Sequence, residues 1–168
     1  ILDTFAPELL IKNNDQAESK GYMELIQTCE RYNIPIFIPD KTAQQVIYDQ
    51  FTVRFFHHQS PKDSLNNNSL VFKLVAGNLS VLFPGDIFKE KEQIIADRYG
   101  RLLDADILIA PHHGSRTSSS KIFLDIIQPE SVIIPCGWKN RYHFPHKSVI
   151  DRYEQHNVTI YRTDTNGA

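Results

Sequence analysis

Three places in the sequence gather side chains able to hold a cation or move a proton. Asp86 follows the apolar run Leu79–Phe83, through Pro84 and Gly85. His112 and His113 follow Asp106–Ala110, through Pro111. A third run, Ser131–Pro135, leads into a loop from Gly137 to His146 that carries His143 and His146. In layered α/β folds ligands bind at the carboxyl ends of strands, so a carboxylate and two histidine pairs converging there would make a divalent-metal site. A carboxylate oxygen can bridge two ions, and neutral imidazoles complete each shell. Taken singly, each feature has a plainer reading. Asp after Gly turns a chain or caps a helix, paired histidines after a strand serve structure, and His146 after Pro145 opens a helix. Their conjunction is what points to chemistry. His57 and His58 read as surface or edge residues, because neighbours along a strand point to opposite faces. His156 reads as a helix-end cation opposing the dipole.

Arg116, Lys139 and Arg141, with Trp138 and Tyr142, cluster in the same two loops. Guanidinium groups beside a metal centre suit an anionic substrate such as a phosphodiester; the alternative is solvated loop charge. Asn66-Asn67-Asn68-Ser69 reads as a loop tip, since Asn and Ser satisfy their own backbone in turns.

Periodicity supplies the scaffold. Leu9–Ile11 is a short strand. Tyr22, Leu25, Ile26, Cys29 and Tyr32 recur at helical spacing, and Ile34–Ile38 is an edge strand flanked by prolines. Thr52–Phe56 is a further strand. Leu70–Val75 and Leu79–Phe83 flank Gly77-Asn78, a hairpin signal. Lys89–Tyr99 reads as helix and Asp106–Ala110 as a buried strand. Ser118-Ser119-Ser120 supplies an N-cap for a helix through Ile127. Ser131–Pro135 is a strand, Lys147–His156 a helix and Val158–Arg162 a last strand. Strands alternating with helices imply a sheet with helices packed on it, an α/β fold.

Composition narrows the partners. The chain has 168 residues, 41% hydrophobic and 23% charged, with a formal net charge of −2. That is an ordinary globular mixture with enough length for one domain and its core. Bulk charge cannot hold nucleic acid here, so any such contact needs a local patch. No run approaches the roughly 18 apolar residues that cross a bilayer, and the N-terminus lacks a signal-peptide layout. Cys29 and Cys136 are too few for a disulfide scaffold and read as small buried residues. The chain begins at Ile1 and stops just after Asp164-Thr-Asn-Gly167, so both ends read as cut: residues 1–168 would be a single domain, truncated.

Asn68-Ser69-Leu-Val, Gly85-Asp86 and Ala110-Pro111-His112-His113-Gly114-Ser115 resemble the metallo-β-lactamase superfamily. Ser118-Ser119-Ser120, Asn140-Arg-Tyr142 with Pro145-His146, and Tyr161-Arg-Thr-Asp-Thr-Asn-Gly167 resemble the hydrolase-like domain of the ComEC/Rec2 competence proteins, which take up transforming DNA. The resemblance runs from about Asn66 to Gly167. It implies part of an αβ/βα sandwich holding two divalent metal ions, zinc or manganese, which lower the pKa of bound water for attack on a phosphodiester or other ester. Asp86 matches the bridging carboxylate. His113 and His146 both qualify as the closing histidine, with His146 favoured as ligand. His112 or His113 is ligand or contact to the substrate oxyanion, and Asn68, Ser115, Arg116 and Arg141 are assigned to substrate.

Two departures stand out. The superfamily's His-x-His-x-Asp-His run is absent, the first histidine being His57, and the resemblance would place that run before Ile1. Tyr142-His143-Phe144-Pro145-His146 replaces the usual Gly-His-Pro-His. The implied function is a DNA phosphodiesterase within a longer protein of the cytoplasmic membrane, this domain lying on its outer side. The piece alone would be soluble, inactive and a weak metal binder, and no protein partner follows from its sequence. The alternatives are a free-standing hydrolase of a small ester, lactone or phosphocholine, and a catalytically silent DNA-binding domain.

Overall fold

A computed structural model of the chain describes residues 7–39, 44–56 and 64–167, which fall in two units, Ile1–Asp40 and Lys41–Ala168. In the first, β1 (Leu10–Ile11) pairs in parallel with β2 (Ile36–Phe37). Between them in sequence runs α1 (Lys20–Arg31), capped by Ser19, whose hydroxyl accepts from the Tyr22 N–H, and burying Cys29. His57 and His58 lie outside the described residues.

The second unit is a seven-stranded mixed sheet whose strands lie side by side in chain order. β3 (Gln44–Tyr48), β4 (Phe51–Phe55), β5 (Phe72–Ala76) and β6 (Leu79–Phe83) are antiparallel neighbours. From β6 onward the pairing is parallel, through β7 (Ile107–Ile109), β8 (Ser131–Ile134) and β9 (Thr159–Arg162). Parallel neighbours cannot be joined by a hairpin. Helices fill the returns: α2 (Lys89–Tyr99), α3 (Lys121–Ile127) and α4 (Lys147–Gln155). A short α5 (Thr163–Asn166) follows β9.

The expected hairpin forms, Ala76 pairing with Leu79, and its positive φ falls on Gly77 alone. Ser120 caps α3 by accepting from the Phe123 N–H. The edge strand β3 was not expected from the sequence: its Ile47 and Tyr48 face solvent, so no apolar alternation marks it.

Strand alternation decides which sheet face is buried. Leu82, Leu108, Val132 and Ile134 are fully buried on one face, whereas Phe83, Ile107, Ile109 and Ile133 on the other are half-buried. The buried face forms one cluster with Ile95 of α2, Phe123 and Leu124 of α3, and Val149 and Tyr153 of α4. Each such side chain contributes about 1.5–3 kcal/mol on burial. That packing fixes the carboxyl ends of β6, β7 and β8 relative to one another. The α/β expectation holds: a seven-stranded sheet carries its helices on the buried face. Cys29 is buried as expected; Cys136 is only half-buried, because it follows the end of β8 at the edge of a cleft.

Candidate functional site

The segment after β6 is tied down through its backbone at nearly every residue. The Gly85 carbonyl accepts from the His112 N–H at 3.0 Å, and the Asp86 N–H donates to Ser69 Oγ at 3.0 Å. Ser118 Oγ donates to the Ile87 carbonyl at 2.7 Å, and the Phe88 N–H donates to Asn67 Oδ1 at 2.8 Å. Gly85 has φ +65°, and a Cβ there would lie 2.6 Å from Ser69 Cβ. The asparagine-rich segment is therefore more than a loop tip. Asn67 and Ser69 hold the Asp86 loop, leaving the Asp86 carboxylate to face the cleft.

The segment after β7 is unusual in its backbone. His112 (φ 49°, ψ 41°) and His113 (φ 56°, ψ 24°) both adopt the left-handed conformation, and Gly114 follows with φ +81°. Such conformations cost free energy in residues with a Cβ and persist where surrounding contacts impose them. Gly114 packs so closely that a Cβ would lie 2.5 Å from Pro145 Cβ. The result turns the His113 ring toward Asp86.

His113 Nδ1 lies 2.8 Å from the Pro135 carbonyl, and its Nε2 lies 3.6 Å from Asp86 Oδ1. A carbonyl can only accept, so Nδ1 carries a proton; in the tautomer where that is the ring's single proton, Nε2 turns a lone pair toward the carboxylate. Two acceptors then face each other across a gap too long for a hydrogen bond. Two ligands bound about 2.1 Å from one ion at a tetrahedral angle stand roughly 3.4 Å apart, and ligating histidines characteristically anchor their other nitrogen on a carbonyl or carboxylate. The pair fits a divalent cation. It also fits only part of a coordination shell: among the described residues no group of three His, Cys, Asp or Glu is placed to hold a metal.

Asp86 and His113 border a cleft of about 600 Å³ that His112, Cys136, Asn140, Tyr142 and Phe144 also line. On their other side lies a smaller apolar cleft of about 230 Å³ walled by Leu70, Phe72, Phe83 and Ile109. One wall of the larger cleft is a column of rings. Phe88 meets His112 (5.3 Å between centroids), His112 meets Phe144 (5.7 Å), and Phe144 stacks on Tyr142 (5.5 Å, 21° between planes). The Arg141 guanidinium sits over Tyr142 at 4.7 Å. Burial among these rings pushes the His112 pKa down, partly offset by Asp86, so His112 is neutral at neutral pH. Its buried Nδ1 has no hydrogen-bond partner among the described residues. Burial likewise pushes the Cys136 thiol up.

The other expected site residues scatter. His146 precedes α4; its N–H donates to the Gly114 carbonyl, and its ring packs edge-on against Phe144 rather than lining the cleft with Asp86. Ser115 is buried, its hydroxyl paired with Thr117 Oγ1 at 2.9 Å. Asn68 sits in the turn Asn66–Asn68, away from the cleft lining. Arg116 is exposed on the loop before α3, and Arg141 caps the ring column. His156 does end α4, bridging the Arg152 carbonyl and Asp125 Oδ1. Sequence reasoning missed Asn140 as a loop clamp: its amide donates to the Gly137 and Phe144 carbonyls and accepts from the Phe144 N–H.

Fold and cleft together define an α/β domain with a carboxylate–imidazole pair at the carboxyl edge of its parallel strands. Known proteins narrow this. The chain is 39% identical over 116 residues to ComE operon protein 3 of Bacillus subtilis, covering 67% of this chain and 15% of that protein. It is 37% identical over 103 residues to competence protein ComA of Neisseria gonorrhoeae, covering 61% and 15%. Against recombination protein 2 of Haemophilus influenzae it is 36% identical over 173 residues, covering 95% and 21%. The chain belongs to the ComEC/Rec2 family of competence proteins. It spans about a fifth or less of the length of these relatives. Among solved structures it is similar to a metallo-β-lactamase superfamily protein of Thermotoga maritima (TM-score 0.44, 12% identity, covering 92% of this chain and 80% of that one). It is also similar to a variant of the CmlA β-hydroxylase (TM-score 0.49, 12% identity, covering 81% and 34%). No family model matches the chain. No helix among the described residues is long and apolar enough to cross a membrane.

Proposed function

We propose that this domain, as part of a longer competence protein of the cytoplasmic membrane, hydrolyses phosphodiester bonds of DNA on the membrane's outer side with divalent metal ions, zinc or manganese. The observation that carries the reading is the Asp86–His113 pair, a carboxylate and an imidazole nitrogen 3.6 Å apart on backbone-locked loops at the strand ends, with the other imidazole nitrogen anchored on the Pro135 carbonyl. A bound divalent ion would lower the pKa of water and neutralise charge developing on the phosphoryl oxygens. Asp86 and His113 hold it, and Pro135 fixes the His113 tautomer. His112, held neutral by burial, borders the cleft where a substrate oxygen would lie. Arg141 and Arg116 supply cationic charge for phosphate from the two loops.

Among the described residues no third such donor joins this pair, so on this reading the 168 residues alone bind metal weakly and turn over no substrate. The test is Asp86→Ala in the longer protein, assayed for metal-dependent cleavage of DNA. Loss of cleavage is expected; cleavage and uptake at the parent rate would mean that the domain is catalytically silent.

A further inference from the structure

We infer that the loop from Gly137 to Phe144 is a stacking site for an unpaired nucleotide base, set beside the Asp86–His113 pair. The inference deepens the phosphodiester reading and rests on it for the identity of the ligand. Trp138 is 70% exposed and Tyr142 55% exposed, two large rings on one short loop, and clustered exposed apolar surface marks interaction sites. They are not on a loose tip: the Asn140 amide closes the loop through three hydrogen bonds, and Tyr142 is backed by Phe144 in the ring column. The loop therefore holds the exposed Trp138 ring in a fixed position, beside a Tyr142 ring that Phe144 and Arg141 pack against.

Charge selects that partner. Lys139 Nζ lies 5.8 Å from the Trp138 ring centre and Arg141 over Tyr142. From Gly137 to His146 the chain carries these two full positive charges and no carboxylate. Exposed rings interleaved with cations suit a strand whose bases are free to stack and whose phosphates need neutralising. A base pair buried within a duplex offers no face to a ring, so the loop should prefer single strands and tolerate any base. The same side chains line or adjoin the cleft that reaches Asp86 and His113, so a stacked base would place its own phosphate toward that pair.

The chain contains one tryptophan, Trp138, so its fluorescence reports this loop directly, without hydrolysis and without metal. The 168-residue chain would be titrated with a short oligothymidylate in the presence of a chelator. Saturable quenching is expected. Affinity should be at least about tenfold weaker for the same oligomer with abasic sugars and for a duplex of equal length. Tyr142→Ala should weaken binding by about tenfold, and Arg141→Ala should flatten its salt dependence. Both side chains are exposed, so circular dichroism should stay unchanged. Equal affinity for the abasic oligomer, or Tyr142→Ala binding as tightly as the parent chain, would overturn the inference. Base-dependent quenching would uphold it even if the longer protein cleaved no DNA, an outcome that removes only the hydrolase reading.

Discussion

Asp86 and Glu92 stand close together in the chain and have opposite surroundings. Glu92, on α2, is wholly buried and accepts from the N–H groups of Ser119 and Ser120 at 2.6 and 2.7 Å. Ser119 Oγ in turn pairs with the buried Tyr153 hydroxyl, and Arg152 donates to the Ser118 carbonyl. Asp86 has a side chain 43% exposed, and the imidazole it faces is 3.6 Å away. One carboxylate is saturated by donors and ties three helices' worth of packing together; the other is held rigidly by its backbone but left short of donors. The two are linked. The serine turn that Glu92 clamps is the one whose Ser118 hydroxyl holds the Ile87 carbonyl, next to Asp86.

Removing each carboxylate in turn should fail in a different way. On the proposed reading, Asp86→Ala would remove charge stabilisation worth several kcal/mol. Cleavage by the longer protein should fall by at least about a thousandfold, while the unfolding midpoint of the 168-residue chain stays within about 0.5 kcal/mol of the parent. Glu92→Ala leaves two buried N–H groups without acceptors, each worth about 1–3 kcal/mol. Urea unfolding should show a loss of roughly 3 kcal/mol.

Gly85→Ala addresses the link between the two regions. A Cβ at φ +65° and 2.6 Å from Ser69 Cβ should cost about 2 kcal/mol. It should also move Ser69 away from the Asp86 N–H, weakening metal binding as well as stability.

The smallest expected effect is one of pH. Burial pushes the Glu92 carboxyl above its ordinary 4.5, against the pull of the Ser119 and Ser120 donors. The folded chain therefore holds this proton more tightly than the unfolded chain, and stability falls as pH rises from 4.5 through the folded value. Glu92→Gln cannot titrate. Its deficit relative to the parent should shrink as pH rises from 4.5 through the folded value, in matched denaturation curves. A deficit that grows with pH would mean that the donors outweigh burial.

Much of the second unit was legible because its signals are local. Leu79–Phe83 and Lys89–Tyr99 emerge with the expected bounds, and Ser120 caps its helix as its position suggested. Asp86 and the two histidines stand where strand-end reasoning put them. What stayed hidden depends on distant partners. Glu92 lies in a charged run, Lys89-Glu-Lys-Glu-Gln93, and only the return of Ser119 and Ser120 against α2 reveals its role. Adjacent histidines gave no sign that consecutive left-handed residues would separate them, His112 into the ring column and His113 toward Asp86. His146 illustrates the converse: its residue type suited a ligand, but its place ahead of α4 directs its backbone to Gly114 and its ring to Phe144.

The most direct measurement is calorimetric titration of Mn²⁺ into the 168-residue chain and into its Asp86→Ala and His113→Ala variants. A weak isotherm in the parent that disappears in both variants is the predicted result. Tight binding of two ions by the parent, or heat that neither substitution alters, would contradict it.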